Sequence, residues 1–186
     1  RKEPRYRETA RIFSKTKPTT AKIGERVKPE PIGCPGYLNV DTVHQGDKEG
    51  EKGVYHINIV DAVTQYEFIG SVEAISERFM EPILKQLLEK FPFKVLEFHS
   101  DNGKEYINKV VAEMLNRLLI RLTKSRPRHS NDNALAETKN GAIIRKHMGY
   151  QHIAKNQANL VNDFYDRYFN DYLNYHRPCA FAVIKI

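Results

Sequence analysis

The sequence predicts an α/β domain on a mixed five-stranded sheet, in which three antiparallel strands precede two parallel strands and helices cover both faces. Three short apolar runs separated by turn signals come first, at residues 37–43, 54–60 and 65–70. Two further runs, at residues 94–99 and 119–123, alternate with stretches of helical periodicity. Strands joined by short turns form an antiparallel meander, whereas the later alternation of strands with helices indicates an α+β or a mixed α/β sheet covered by helices.

The first three strands each end at a turn signal. The strand at residues 37–43 contains an aspartate, Asp41, in its middle. The second strand, at residues 54–60, is followed by residues 61–64, where we expect the Asp61 side chain to cap a turn. The third strand, at residues 65–70, completes the meander.

The first two helices are predicted from their apolar spacing. Phe79, Ile83 and Leu87 recur four residues apart and indicate the first helix. Pro82 falls inside this helix, and we expect either a kink or a regular part that begins at the proline. The second helix spans residues 108–118, and Asn108 is its expected cap.

Two more helices follow the fifth strand. A polar loop without apolar residues at 125–133 leads into a helix that carries one glutamate, Glu137. A last amphipathic helix, at residues 157–175, shows an apolar residue every fourth position at Leu160, Phe164, Tyr168 and Tyr172.

Length and charge divide the chain into three parts. With 186 residues, of which 40% are hydrophobic, one domain plus an extension is expected. We interpret residues 1–33 as a basic linker or arm, residues 34–178 as the folded core and residues 179–186 as an apolar tail, truncated or diverged. Residues 1–28 hold ten Lys or Arg and three Glu, a net charge of +7. Because the sequence starts at Arg1, we expect a fragment of a longer protein.

Three carboxylates stand where the predicted fold would bring them together. Asp41 lies within strand one, Asp101 follows strand four, and Glu137 lies on a helix expected to pack across the sheet edge. Each alone has an ordinary explanation as a strand end, a turn residue or a surface glutamate. Together they offer the hard oxygen ligands that suit two Mg²⁺ or Mn²⁺ ions about 4 Å apart, as phosphoryl transfer uses.

The motifs around these carboxylates closely resemble the catalytic core of DDE integrases and transposases. They are VDT around Asp41, HSDNGKEY around Asp101, NDNALAETKNG around Glu137 and NYHRP at residues 174–178, with 35 residues between Asp101 and Glu137. The SDNG-x-E-[FY] string and the closing motif are most similar to bacterial insertion-sequence transposases. The similarity covers about residues 36–178. It departs from the family's pattern at residues 179–186, where apolar residues replace a glycine and polar residues.

This resemblance implies a fold, an activity and a set of functional residues. The fold would be ribonuclease-H-like, and the activity Mg²⁺-dependent cleavage and transfer of DNA strands. Asp41, Asp101 and Glu137 would be both the catalytic residues and the metal ligands. The family's partners are the element ends and the target DNA, and holding two ends together requires a dimer or a larger assembly. We expect a bacterial cytoplasmic protein associated with the nucleoid, without a membrane partner.

A basic stretch surrounds Glu137 and is predicted to contact DNA. Residues 121–147 carry seven basic and two acidic groups. Arginine and lysine neutralise phosphates, and asparagine side chains reach bases or sugars. The alternative is a solvated loop. The predicted DNA-binding residues are Lys124, Arg126, Arg128, Asn133, Lys139, Asn140 and Arg145.

Two other functions compete with strand transfer. A ribonuclease-H-like nuclease would cut without joining, although such nucleases typically use four carboxylates. A non-catalytic DNA-binding protein could keep the fold, but an intact acidic triad argues against it, since idle carboxylates repel one another without a metal.

Overall fold

The computed structural model describes residues 23–178, which build a six-stranded mixed sheet between two layers of helices. In spatial order the strands are β1 (Glu25–Arg26), β8 (Arg121–Lys124), β7 (Glu97–Ser100), β2 (Tyr37–His44), β5 (Tyr55–Asp61) and β6 (Glu67–Val72). The strands β2, β5 and β6 are antiparallel, whereas β7 runs parallel to both β2 and β8. The five predicted strands and their directions are therefore confirmed.

The structure adds two short features to the predicted fold, one strand of the main sheet and one separate hairpin. The strand β1 pairs in parallel with β8, with Glu25 opposite Thr123 and Arg26 opposite Lys124. It is the end of the segment predicted as a linker, so part of that segment belongs to the sheet. A separate hairpin, β3 (Asp47–Lys48) and β4 (Glu51–Lys52), connects β2 to β5. Most of the predicted arm and the predicted tail lie outside the described residues.

One face of the sheet is covered by the helices α1 (Glu77–Glu89) and α2 (Lys109–Arg117). Pro82 lies within α1, whose helical assignment is continuous across it. The cap predicted for α2 is present, because Asn108 Oδ1 accepts a hydrogen bond of 2.9 Å from the Val111 amide. Apolar side chains from both helices and the strands form the larger core, which includes Leu38, Val40, Ile57, Ile59, Leu84, Phe98 and Leu115.

The other face carries two long interrupted helices. The first consists of α3 (Ala134–Lys139), a π-helical turn at Asn140–Arg145 and α4 (Lys146–Met148). The second begins with α5 (Ala158–Phe164) and continues through π-helical turns at Tyr165–Phe169 and Tyr172–His176. Their core cluster consists of Val43, Ile69, Ile143, Ile144, Val161, Tyr165, Phe169 and Leu173. No helix within residues 23–178 is long and apolar enough to cross a membrane.

The buried face of the last helix is displaced by one residue from the apolar stripe seen in the sequence. The stripe residues Leu160 and Tyr168 are 66% and 64% exposed. Phe164 and Tyr172 are also exposed, at 42% and 41%. The neighbouring stripe, Val161, Tyr165, Phe169 and Leu173, faces the sheet instead. Both stripes are spaced by four residues, so helical periodicity alone does not distinguish them.

Three asparagines explain which stripe faces the sheet. Asn162, Asn170 and Asn174 each bond both the amide and the carbonyl of one residue on the outermost strand, β6. Asn174 pairs with Glu67 at 2.8 and 2.9 Å, and Asn170 pairs with Ile69 at 2.9 and 3.1 Å. Asn162 pairs with Ser71 at 2.6 and 2.8 Å. We call these three residues the asparagine ladder; it satisfies backbone groups that a neighbouring strand would otherwise satisfy.

Candidate active site

The sheet places two of the predicted carboxylates on adjacent strands. In the parallel pair of β2 and β7, Val40 lies opposite Ser100. Asp41 and Asp101 are the next residues on their respective chains, so they follow this pair side by side. Gly36 makes the approach of the two strands possible, because its φ is +114° and a Cβ there would lie 2.4 Å from the Lys94 carbonyl oxygen.

The third carboxylate, Glu137, is close enough to the other two for its charge to act on Asp41. The pKa of Asp41 is raised to about 6, mainly by burial and also by the negative charges of Asp101 and Glu137, against hydrogen bonds from Thr42 and Asn140 that lower it. Since charges affect a pKa in this way only at short range, the three carboxyl groups share one electrostatic environment. Asp41 is partly buried, whereas Glu137 is exposed.

Hydrogen bonds hold the Asp41 carboxylate from both sides. The Thr42 amide donates to Oδ1 at 2.8 Å, and Asn140 Nδ2 donates to Oδ2 at 2.7 Å. Asn140 is itself held, because its Oδ1 accepts a hydrogen bond of 3.0 Å from Asn58 Nδ2. Asn58 lies directly opposite Asp41 on the neighbouring strand β5. Two asparagines thus fix the orientation of one carboxylate.

A tight turn holds Asp101. Its Oδ1 accepts a hydrogen bond of 2.8 Å from the Gly103 amide. A Cβ at position 103 would lie 2.8 Å from Asp101 Oδ1 and 2.6 Å from Glu105 Oε2, so a larger residue there would displace one or both carboxylates. Burial, together with the charge of Asp101, raises the pKa of Glu105. Glu105 therefore lies beside Asp101.

Asp101 and Glu137 line an open cleft of about 530 Å³. Within the described part of the chain, the Glu137 carboxylate makes no hydrogen bond or ion pair. The other wall of the cleft is the loop after β8. The lining residues are Asp101, Asn102, Ser125, Arg126, Arg128, His129, Asn133 and Glu137.

The three carboxylates suit a divalent cation chemically, but residues 23–178 do not present a closed metal site. No group of three or more His, Cys, Asp or Glu side chains in this range lies close enough together to hold a metal ion. Carboxylate oxygens are the preferred ligands of Mg²⁺ and Mn²⁺, and a cation would offset the shared negative charge. Metal binding by Asp41, Asp101 and Glu137 therefore stays a prediction.

The loop arginines predicted to bind DNA face the cleft. Arg126 forms a two-pronged ion pair with Asp132, at 3.0 Å through Nε and 2.9 Å through Nη2. The hydrogen bonds from Arg126 hold the pKa of Asp132 at about 2. Arg128 is exposed and adopts a left-handed backbone conformation, with φ of +65°. Arg128 is therefore the predicted DNA contact best placed to meet a phosphate.

The other predicted DNA contacts have partners inside the protein. Asn133 is buried and bonds Asn39 and the Val40 carbonyl, while Asn140 bonds Asp41. Both asparagines were predicted to contact DNA, but both side chains bond residues of the sheet. Contact of either side chain with DNA remains a prediction that this placement does not favour.

Three basic residues that were predicted to contact DNA also have partners inside the protein. The Lys139 side chain is 9% exposed and pairs with Glu67 at 3.4 Å. Lys124 is buried and donates to the Ile23 carbonyl. Arg145 donates to the His44 carbonyl at 2.7 Å. Their positive charges therefore stabilise contacts within the fold.

Sequence reasoning missed the residues that orient Asp41. Asn58 and Asn140 were not recognised as its supports, nor was Tyr106, whose hydroxyl hydrogen-bonds the Thr42 hydroxyl. One signal was present: Asn58 interrupts the apolar run Ile57-Asn58-Ile59 in a strand that is buried throughout. A buried amide of this kind requires a partner.

Comparison with known proteins assigns the family. The family described as Integrase core domain matches residues 34–130, about half of the chain, and this range includes Asp41 and Asp101. The chain belongs to the integrase core family. Glu137 lies beyond the matched range, so its place in the site rests on this structure and on the sequence motif.

Similar proteins agree with this assignment. This chain is 30% identical over 125 residues to an uncharacterized protein, y4rM, of Sinorhizobium fredii. That match covers 67% of this chain and 36% of the relative, so the chain spans about a third of the relative's length. Among solved structures, the catalytic core domain of BIV integrase is similar, with a TM-score of 0.51 and 15% identity over 78% of this chain and 87% of that chain. The fold is that of the ribonuclease-H-like integrase core.

Proposed function

We propose that the protein is a DNA transposase or integrase that cuts DNA and joins the cut end to a target strand, using divalent metal ions. The observation that carries this proposal is the shared electrostatics of Asp41, Asp101 and Glu137, in which two carboxylates raise the pKa of the third. Membership of the integrase core family supports the same reaction class.

In this proposal the three carboxylates are the catalytic residues and hold two Mg²⁺ or Mn²⁺ ions. Bound ions of this kind activate the attacking oxygen and stabilise the leaving oxygen of a phosphodiester. The rest of the site keeps the ligands in place. Asn140 and the Thr42 amide orient Asp41, and the Gly103 amide orients Asp101.

DNA would reach the carboxylates through the open cleft and lie against its loop wall. Arg128 is exposed there, and Arg126 remains 37% exposed although it is paired with Asp132. Phosphate contacts of this kind position DNA without reading its sequence. The basic residues 1–28 would add further phosphate contacts from the arm.

The proposal also covers the partners of the protein and its location in the cell. Two DNA ends must be held together for transposition, so we propose that at least two copies of the chain act on the element ends and the target. We also propose that the protein acts in the bacterial cytoplasm, at the nucleoid. The three-part division into arm, core and tail at residues 33 and 178 is part of the same proposal.

One incubation distinguishes the three candidate functions. The full chain is mixed with labelled linear DNA and a supercoiled target, with Mg²⁺ or Mn²⁺ and, separately, with EDTA. Joined products that require the metal support the transposase or integrase. Cut but unjoined products indicate a nuclease, and DNA binding without either product indicates a non-catalytic protein. The matched negative control is Glu137→Gln, which keeps the side-chain volume and removes the charge.

A further inference from the structure

A second cleft lies on the far side of the loop that forms a wall of the acidic cleft. It has a volume of about 550 Å³. Arg126, Arg128 and His129 line both clefts, so a single loop separates them. The residues that line only the second cleft are Lys28, Pro29, Pro31, Asn39, Ala62, Asn131, Asp132, Ala134 and Leu135.

Positive charge dominates the rim of this second cleft. Lys28 and Arg128 are exposed and line it from two chain segments, the one after β1 and the loop after β8. Asp132 is the one carboxylate among its lining residues, and Arg126 already binds both of its oxygens. Glu30 is close enough to raise the pKa of Arg126 but lies outside the lining. The rim therefore has cations available for an anionic ligand.

The lining also offers apolar surface. It comes from Pro29, Pro31, Ala62 and Leu135, beside the polar side chain of Asn39. Nucleic-acid enzymes bind extruded bases between apolar or aromatic side chains, while cations hold the adjoining phosphate. A volume of this size falls within the range of about 300–1000 Å³ that small-ligand sites occupy.

We propose that the second cleft binds one unpaired nucleotide of the DNA strand that leaves the acidic cleft. The phosphate lies between Lys28 and Arg128, and the base lies against Pro29, Pro31 and Leu135. Because one loop separates the clefts, a strand that crosses it reaches the second cleft directly from the carboxylates. This inference rests on the proposed function and adds a place for a strand that has left the duplex.

The test compares two DNA probes bound by the full chain at fixed salt. One is a blunt duplex, and the other is the same duplex with a short single-stranded extension that carries 2-aminopurine. We expect the extended probe to bind several-fold more tightly and its fluorescence to change on binding. Lys28→Ala should remove most of this preference and lower the salt slope of the extended probe by about 0.7, one single-strand phosphate contact.

A second variant tests the apolar wall. Ala62→Phe fills the cleft, and we expect it to abolish the preference and the fluorescence change while binding to the blunt duplex is kept. The matched controls are Lys85→Ala, an exposed lysine on α1, and Ala112→Phe, an alanine at a different cleft near β1. Melting temperatures of all four variants show whether each is folded.

The outcomes separate the cleft from the catalytic proposal. Equal affinity of the wild-type protein for both probes, or a preference that survives both Lys28→Ala and Ala62→Phe, overturns the cleft assignment. Cutting and joining of the same DNA are measured in parallel. A protein that cuts and joins without the preference disproves the cleft alone, whereas a protein that shows the preference but never cuts keeps the cleft and disproves the proposed activity.

Discussion

The side-chain amide of Asn140 donates a hydrogen bond of 2.7 Å to Oδ2 of Asp41. Asn140 stands at the junction of α3 and the π-helical turn, three residues after Glu137. The helix that carries Glu137 thus also holds the Asp41 carboxylate in place. Asn58 completes this arrangement from β5 and determines which end of the Asn140 amide faces Asp41.

Asn140→Ala should slow DNA cleavage by about 10–100-fold, the usual cost of removing a partner that orients a metal ligand. Because Asn140 faces the sheet and not the cleft, DNA affinity should change little. Single-turnover rates and DNA dissociation constants, measured separately, check this. The control is Asn116→Ala, an exposed asparagine on α2. Weakened DNA binding with an unchanged cleavage rate would show that Asn140 contacts the substrate instead.

Glu137→Gln should abolish cleavage and lower the pKa of Asp41. The amide removes a negative charge that raises this pKa, so Asp41 should lose its proton at a lower pH than in the wild-type protein. Carboxyl-carbon NMR titration of the metal-free protein measures the shift. Glu89→Gln, on an exposed position of α1, is the control. An Asp41 titration that is identical in both variants would place Glu137 outside the site.

Lys139→Met should destabilise the fold by about 3–5 kcal/mol, because it leaves the buried Glu67 carboxylate without its cation. Glu67→Gln in addition should recover most of this loss. Burial raises the pKa of Glu67 despite the neighbouring lysine, so the neutral amide suits the position. Urea denaturation of both single variants and the double variant gives the coupling energy. Additive effects in this cycle would contradict the ion pair.

Stability should fall as the pH drops from about 6.5 towards 4. Burial lowers the pKa of His56 and of His99 to about 4, from the ordinary value of 6.5. Between these values the unfolded state binds protons that the folded state does not, so acid favours unfolding, by up to about 3 kcal/mol for each histidine. Urea denaturation at several pH values measures this dependence.

The variants His56→Gln and His99→Gln should each flatten this pH dependence. Asp41 acts in the opposite direction, since its raised pKa favours the folded state on protonation, and it is unchanged in both variants. The difference in pH dependence of stability between each variant and the wild-type protein therefore reports the contribution of the substituted histidine. A slope that neither substitution alters would mean that other groups cause the acid sensitivity.

Asn170→Ala should destabilise the protein by about 1–3 kcal/mol, because it removes both partners of the buried Ile69 backbone. Asn159→Ala, an exposed asparagine on the same helix, should have almost no effect. Thermal denaturation of the two variants makes the comparison. Equal melting temperatures would show that solvent satisfies these backbone groups and that the asparagine ladder contributes little.

The order and direction of the main strands could be predicted because each strand is a short apolar run with a clear turn after it. The Asp61 turn is an example: Oδ2 of Asp61 accepts hydrogen bonds from the Val63 and Thr64 amides, as its position suggested. The strand β1 could not be predicted in this way. It has two exposed residues, Glu25 and Arg26, and it exists because β8 offers a free edge.

The carboxylates of the candidate site could be proposed from the sequence, but the residues that hold them by hydrogen bonds could not. The strand and turn contexts of Asp41 and Asp101 place them together, whereas the side-chain direction of Asn133 and Asn140 depends on tertiary packing. On the last helix, two apolar stripes share a four-residue spacing, so the asparagine ladder and not the periodicity decides which one faces the sheet.

The asparagine ladder has a consequence for how several copies of this chain can assemble. Its side chains occupy the outward-facing amides and carbonyls of Glu67, Ile69 and Ser71 on β6. A strand from another molecule therefore finds no free backbone amide at these three residues. If several copies assemble as proposed, their contacts would have to lie elsewhere than along this edge of the sheet.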